Sequence, residues 1–458
     1  MRFVDRDTEI KRLERALNDD RRSQFIVIYG RRRLGKSTLV RHVLKDSDIY
    51  YMADMTEQNQ QIAMLSKSIA YKFPGFDKVV YPDWDSLIVS LKHRTAERFT
   101  ICFDEFPYMV KANMALPSIL QRHVDTKDLP FNIIICGSSQ QMMHSLVLDS
   151  ASPLYGRSDV IMKLDPIPIK YLQEVLAVDS VQAVEEYAVW GGVPRYWELR
   201  EKESSLRDAV EYNLFDVNGT LYDEPSKLFL DDLQQTALSS SIISLIGNGV
   251  NRLSEVAARL QKKATDLSNP FAKLIQLGYI ERETPFGEDI RNSKRSIYQL
   301  SDPFLSTYYK YVVPNRSLIG LGRKALLMQL FNQSFDEFVG RYWERLCRTT
   351  ISGNVLFGTM WNKASRWWGH VKDGNMSKMM EIDVVAESFD KKKILIGECK
   401  WTERETASQL LYELEKKARL LPFTKDKEVV YALFLKYQSE DMNMDNVVLP
   451  NEILTINN

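Results

Sequence analysis

The chain has 458 residues, 44% of them hydrophobic and 27% charged, with 61 basic and 61 acidic side chains. That length exceeds one ordinary core and predicts several domains, while the zero net charge excludes a protein that coats nucleic acid or an acidic membrane by bulk charge. The four cysteines, Cys102, Cys136, Cys347 and Cys399, form no CxxC or Cys/His cluster and fit buried apolar positions in a reducing cytoplasm. The charged start MRFVDRDTEI is no secretory signal and no apolar run reaches a membrane span, so a cytoplasmic chain without membrane partners is expected.

In chain order, residues 24–30 (QFIVIYG) form a short β-type apolar run, followed at once by GRRRLGKST and an amphipathic helix through LVRHVLKD. This is G-x-x-x-x-G-K-S in its required strand–loop–helix context, which predicts a triphosphate site built from Gly30, Arg31, Arg32, Arg33, Leu34, Gly35, Lys36, Ser37 and Thr38. Backbone N–H groups would curl around the phosphates, Lys36 would neutralise the β/γ oxygens, and Ser37 would offer its hydroxyl to magnesium. The apolar strand FTICF ends in Asp104 and Glu105. Asp104 is expected to hold Mg2+ through water and Glu105 to orient the attacking water. A third strand, FNIIICGSS, ends in Ser138 and Ser139, where a polar sensor of the γ-phosphate sits, and PLYGR sets Arg157 in a loop as an arginine finger, a sensor or a surface arginine.

FVDRDTEIKRLERAL, GRRRLGKST, FDEF, GSS, PLYGR and GGVPRY (Gly191 to Tyr196), in this order, resemble the archaeal-type ATPases of the AAA+/STAND-like branch of P-loop NTPases. The resemblance implies an α/β P-loop domain over 1–165 and a helical lid over 166–229 carrying GGVPRY, with Phe3 to Arg6 near the nucleotide base, so that Phe3 and Arg6 join the ATP-binding residues. It also implies that Arg157 completes a neighbouring subunit's site, hence a homo-oligomer.

From about Leu230 short amphipathic helices follow: one marked by Ile242, Ile243 and Ile246, a second by Leu253, Val256, Ala257 and Leu260, and a third stopped by Gly278. ERETPFGEDIRNSKRSIYQL then reads as two strands, so 230–324 is expected to be a winged helix. Nine basic and six acidic residues lie between Asn251 and Leu300, and Arg291, Lys294 and Arg295 are the best phosphate contacts; DNA reading and a structural role stand level. From about Ala325 the order is helix (FDEFVGRYWERLCRTTI), three strands, helix, strand, which is the order of the PD-(D/E)xK nuclease core, assigned to 325–458. Asp383 lies in the second strand, while Glu398 and Lys400 share one face of the third because i and i+2 point the same way. Asp383 and Glu398 would hold a second Mg2+ or Mn2+, Lys400 would polarise water or the scissile phosphate, and Glu344 resembles the extra acid some nuclease members add. Trp367 and Trp368 are adjacent on a strand, so one of them could face solvent.

These expectations combine into Mg-dependent ATP hydrolysis coupled to nucleic-acid processing or defence, DNA being the favoured polymer. An ATP-switched signalling or scaffolding protein, whose last domain only binds, is the alternative.

Overall fold

The computed structural model describes residues 4–94, 97–232, 237–374, 376–402, 406–439 and 445–456. Fourteen strands among the described residues fall into two five-stranded sheets and two short ribbons.

The first sheet holds β1 (Phe25–Tyr29), β2 (Ile49–Met52), β3 (Phe99–Asp104), β4 (Phe131–Gly137) and β5 (Val160–Lys163), in the order β2-β3-β4-β1-β5. Every pairing is parallel. Both faces are covered, so β3 and β4 are buried along their whole length and read as continuous apolar runs. Alternation splits them between two cores. Ile26, Ile28, Cys102, Ile134 and Cys136 join a cluster that runs on into the helices after β5, whereas Phe25, Val27, Ile101, Ile133 and Ile135 face the helices between β2 and β4.

After β5 come four helices, Ile169–Leu176, Ser180–Trp190, Pro194–Arg200 and Leu206–Leu214. The second starts on a capping box at Asp179 and stops at Gly191, whose φ of +60° lies in the left-handed region. Pro194 then opens the third helix, so GGVPRY is the turn between them. Gly192 packs so closely that a Cβ there would stand 2.1 Å from the carbonyl oxygen of Ile167.

Three helices at Ala237–Gly247, Leu253–Arg259 and Ala264–Gln276 precede the antiparallel ribbon β6 (Ile280–Glu283) and β7 (Ile297–Leu300). A long helix, Lys324–Ile351, leads through the small ribbon β8 (Val355–Leu356) and β9 (Thr359–Met360) to the second sheet. That sheet runs β10 (Ser365–Asp373), β11 (Met376–Glu387), β12 (Lys393–Lys400), β13 (Glu428–Leu435) and β14 (Val447–Val448). Its first three strands are antiparallel neighbours and its last three are parallel neighbours. Helix Ala407–Arg419 covers one face, over Ile382, Val385, Ile394 and Ile396, and the long helix covers the other, over Val384, Ala386, Leu395 and Cys399.

The second sheet does not stand apart from the first half of the chain. The long helix and the helix Pro450–Ile456 both pack against Ser180–Trp190. There Tyr342 stacks on Tyr187 with centroids 5.7 Å apart, and Lys436 pairs with Glu185 at 3.1 Å. Among the described residues no helix is long and apolar enough to cross a membrane.

Two expectations about this region are corrected. Trp367 and Trp368 do face opposite sides of β10, but both are buried, 6% and 7% exposed: Trp367 joins the core under helix Ala407–Arg419, and Arg366 lies over the Trp368 ring at 5.9 Å. Arg295 is not a free phosphate contact either. Its Nε donates to Glu288 at 2.7 Å and its Nη1 to the Trp368 carbonyl oxygen at 2.8 Å, which fastens the β6–β7 connection onto the edge strand β10.

Candidate functional site

Open α/β sheets bind ligands beyond the carboxyl ends of their strands. Gly30, Asp104 and Ser138 stand at or just past those ends of β1, β3 and β4. Because β4 lies between β1 and β3, Ser138 sits between the loop and the acidic strand. Gly30 admits no side chain, since a Cβ would lie 2.5 Å from the Leu164 carbonyl oxygen. Gly35, at φ +87°, begins the loop helix Lys36–Val43 and leaves open space where its Cβ would be. Arg33 also takes the left-handed region, at φ +68°.

Lys36 is 4% exposed, and its ammonium donates to the Gly30 and Arg31 carbonyl oxygens at 2.8 and 2.9 Å. The loop is thus wrapped around its own lysine, the cation that a triphosphate needs. The Asp104 carboxylate is 1% exposed and accepts from the Tyr50 hydroxyl, which also hydrogen-bonds Ser37. Burial, then Asp104, pushes the Tyr50 hydroxyl up, so it stays a donor. One hydroxyl therefore joins the hydroxyl and the carboxylate that the spacing assigns to magnesium, and this donor set suits a Mg-triphosphate. Glu105, in the left-handed region at φ +53°, accepts from Ser138 Oγ at 2.5 Å and from Ser138 N at 3.2 Å. Ser139 instead caps the next helix, accepting from Met142 N at 3.3 Å.

The loop arginines have partners that no motif announces. Arg31 meets the Asp302 carboxylate and donates to the Tyr196 hydroxyl at 3.3 Å. Arg33 pairs at 2.9 Å with Glu224, which is wholly buried and also accepts from the Tyr196 hydroxyl at 3.1 Å. Burial raises the Glu224 carboxyl above the usual range against the pull of Arg33. Arg32 and Thr38 are exposed. Arg6 is 4% exposed and donates to the Asp165 carbonyl oxygen at 2.7 Å, beside Leu34, whereas Phe3 lies outside the described residues. Alongside runs a cavity of about 690 Å³, lined by Asp5, Arg31, Leu34, Tyr171, Gly192 and Arg345 among others.

Arg157 does not reach this place. It precedes β5 at the amino ends of the strands, where Asp125 accepts from it at 2.8 and 3.1 Å. The five residues of β1 put roughly 17 Å of strand between it and the loop, which rules out a part in its own chain's site.

A second constellation gathers on β11, β12 and the long helix. Between Trp367↔Ile382 and Ser365↔Val385, β11 carries one residue more than β10, a bulge at Asp383–Val384. Bulges re-aim side chains. Here Asp383 Oδ2 accepts from Cys399 N at 2.9 Å, directly beside Glu398. Burial, and next to it the Glu398 charge, push the Asp383 carboxyl up. Glu344 is pushed up to about 7 by burial and then by Asp383. Glu398 lies between two cations, Lys417 Nζ at 2.8 Å and Lys400 Nζ at 3.3 Å. Arg348 donates to the Asp383 carbonyl oxygen at 2.9 Å and pairs with Glu283 of β6 at 3.2 Å. Asp383, Glu398, Lys400 and Glu344 are therefore brought together. Lys417 and Glu283 were missed, because neither belongs to the strand pattern. Among the described residues no group of three or more His, Cys, Asp or Glu is placed to hold a metal.

Residues 3–197 match the model of an ATPase domain predominantly from Archaea, and residues 308–411 match a family described as archaeal and bacterial proteins of unknown function. The chain is 30% identical over 454 residues to an uncharacterized protein of Methanocaldococcus jannaschii, covering 97% of this chain and 98% of that protein. Among solved structures it is similar to the ORC2 protein of Aeropyrum pernix in ADPNP–ADP complexes, at 13% identity and a TM-score of 0.48, over 70% of this chain and 96% of that one. A STAND protein with a tetratricopeptide repeat sensor from Pyrococcus horikoshii aligns at 14% identity with a TM-score of 0.32, over 76% and 49% of the two chains. With a relative matched nearly end to end, the chain belongs to the same family as this Methanocaldococcus jannaschii protein, and its phosphate loop lies inside the region that matches the archaeal ATPase domain.

Proposed function

We propose that the chain couples Mg-dependent ATP hydrolysis to the processing of nucleic acid, DNA being favoured, and that its last 134 residues, 325–458, form a PD-(D/E)xK nuclease-like domain. In this reading 1–165 is the ATPase domain, 166–229 its lid and 230–324 a winged helix. Lys36 and the loop amides would bind the β/γ phosphates, and Ser37 and Asp104 would hold magnesium. Magnesium, when bound, neutralises charge that builds on the phosphate oxygens. Glu105 would orient the attacking water, and Ser138 holds its carboxylate in the meantime. Arg157, at the far edge of the sheet, would serve only a neighbouring subunit.

The observation that carries the nuclease-like reading is the bulge that turns Asp383 toward Glu398 and Lys400. Strands that merely carried solvated charges would have no need to bury Asp383 beside a second carboxylate, where both charges repel. A scaffolding reading has its own support in Glu398, already neutralised by Lys400 and Lys417. The deciding experiment is Mn2+- or Mg2+-dependent cleavage of single- and double-stranded DNA and RNA, with and without ATP. Cleavage lost in Asp383→Ala and Lys400→Ala supports the nuclease. A folded, ATP-hydrolysing protein that cleaves none of these polymers supports the scaffold.

A further inference from the structure

One helix walls both the cavity beside the phosphate loop and the acid pair. Along one stripe of Lys324–Ile351, Tyr342, Arg345, Leu346 and Thr349 line the cavity that Arg31 and Leu34 enter from the phosphate loop. On the neighbouring stripe, Glu344 and Arg348 face Asp383. Residues 344 and 345 are successive, so about the 10 Å width of a helix separates that cavity from the acid pair.

Two chains of contact converge on this helix. Arg345 donates to the Leu300 carbonyl oxygen at 3.3 Å and pairs with Glu281 at 3.2 Å, tying the helix to both strands of the β6–β7 ribbon. Two residues beyond Leu300, Asp302 caps the next helix, accepting from Leu305 N at 3.1 Å, and meets Arg31 of the phosphate loop. On the far side, Cys347 contacts Cys399, the residue between Glu398 and Lys400, and the wholly buried Trp343 donates to the Phe434 carbonyl oxygen at 3.0 Å. The helix runs unbroken through all of these contacts, so a displacement at one of them is carried to the others by a rigid element.

We propose that the long helix makes nucleotide occupancy of the loop felt at the Asp383–Glu398 pair, with Arg31 as the switching contact. The guanidinium of Arg31 pairs with Asp302 in the nucleotide-free loop and is drawn to phosphate oxygens when they arrive. It cannot hold both partners fully, and this supplies the differential contact that coupling needs. Release of Asp302 loosens the β7–Arg345 strut and lets Glu344 and Arg348 reset around Asp383. The inference rests on the ATP-site and acid-pair readings above, but its test needs neither a metal nor cleavage.

The test is hydrogen–deuterium exchange of the full chain with ATP in EDTA, where no metal is present and turnover cannot occur. Wild type should show slower exchange over residues 30–44 and, at the same time, an exchange change of about 5-fold or more over 337–351 and 380–400, the lower end of ordinary allosteric coupling. Arg345→Gln, which keeps the stem, and Asp302→Asn, which keeps the helix cap, should retain the effect at 30–44 and lose the effect at 380–400. Protection of 30–44 in wild type without any change at 380–400 would overturn the coupling and leave the ATP site standing. So would a distant change that survives in both variants. Absence of protection at 30–44 would overturn the ATP-site reading and the coupling with it. The acid pair itself is tested separately, by whether Mn2+ raises the melting temperature of the Lys36→Ala chain and Asp383→Ala/Glu398→Ala removes that rise.

Discussion

Arg33 and Glu224 offer a perturbation whose two halves should differ. At 2.9 Å and an effective dielectric near 20, their gross attraction is about 6 kcal/mol. Glu224 has no exposure, whereas the Arg33 side chain keeps 23% of its own. Arg33→Met leaves a wholly buried carboxylate with the Tyr196 hydroxyl as its remaining donor, so it should cost about 3 kcal/mol. Glu224→Gln keeps an acceptor for Tyr196 and leaves an arginine that can turn to water, so it should cost about 1 kcal/mol. The double variant should sit near the milder single one. The pH sign follows from burial, which raises the Glu224 carboxyl above its unfolded value. Its penalty is therefore present above the ordinary glutamate range and is relieved as pH falls through the raised value. The Arg33→Met defect should shrink on acidification, and the double variant should show no such relief. Urea denaturation of the four proteins at pH 8 and pH 5.5 measures this. Equal costs for the two single changes, or a defect that grows in acid, would refute the reasoning.

Lys36→Ala should abolish ATP binding measured by calorimetry, and a folded variant with unchanged affinity would remove the lysine from the site. Glu105→Gln should bind ATP and hydrolyse it at least ~100-fold more slowly, as loss of a positioned base implies; turnover near wild type would assign the water to another group. The ATPase rate per subunit should rise with protein concentration, and Arg157→Ala should abolish the rise; a flat rate across the range where mass measurements show self-association would leave Arg157 no role in trans. In the Lys36→Ala background, Mn2+ should raise the melting temperature of the full chain, and Asp383→Ala/Glu398→Ala should remove that shift. Equal shifts in both proteins would place the metal elsewhere.

The parts legible in sequence are those whose chemistry forces a spacing. Gly30 to Ser37 must follow a strand and open a helix, and Glu398 and Lys400 must alternate on one face, so both read out locally. The helix, three strands, helix and strand of the last region were likewise visible as periodicity. What stayed hidden depends on distance along the chain. Arg157 looks like a loop arginine near an ATP site until the sheet order shows its loop at the amino ends of the strands. Arg295 looks like a nucleic-acid contact until the β6–β7 connection is seen lying on β10. Glu224 and Asp302 reach the loop arginines from 191 and 271 positions away (224 − 33 and 302 − 31), with no pattern to announce them. The bulge at Asp383 changes neither composition nor period, so only strand register reveals it.

The docking of Pro450–Ile456 on Ser180–Trp190 bears on how the protein is made. At about 5–20 residues per second, a ribosome needs roughly 13 to 52 seconds to make the roughly 260 residues between these helices. Throughout that interval the nascent helix Ser180–Trp190 lacks the cover of Pro450–Ile456, and until Tyr342 is made the face of Tyr187 that it stacks on is open as well. Such a chain invites holding by chaperones while translation runs, and slow codons downstream of Trp190 would lengthen its exposure. The ATPase half is therefore committed to its tail before it is finished, and truncations that spare the phosphate loop should still yield insoluble protein.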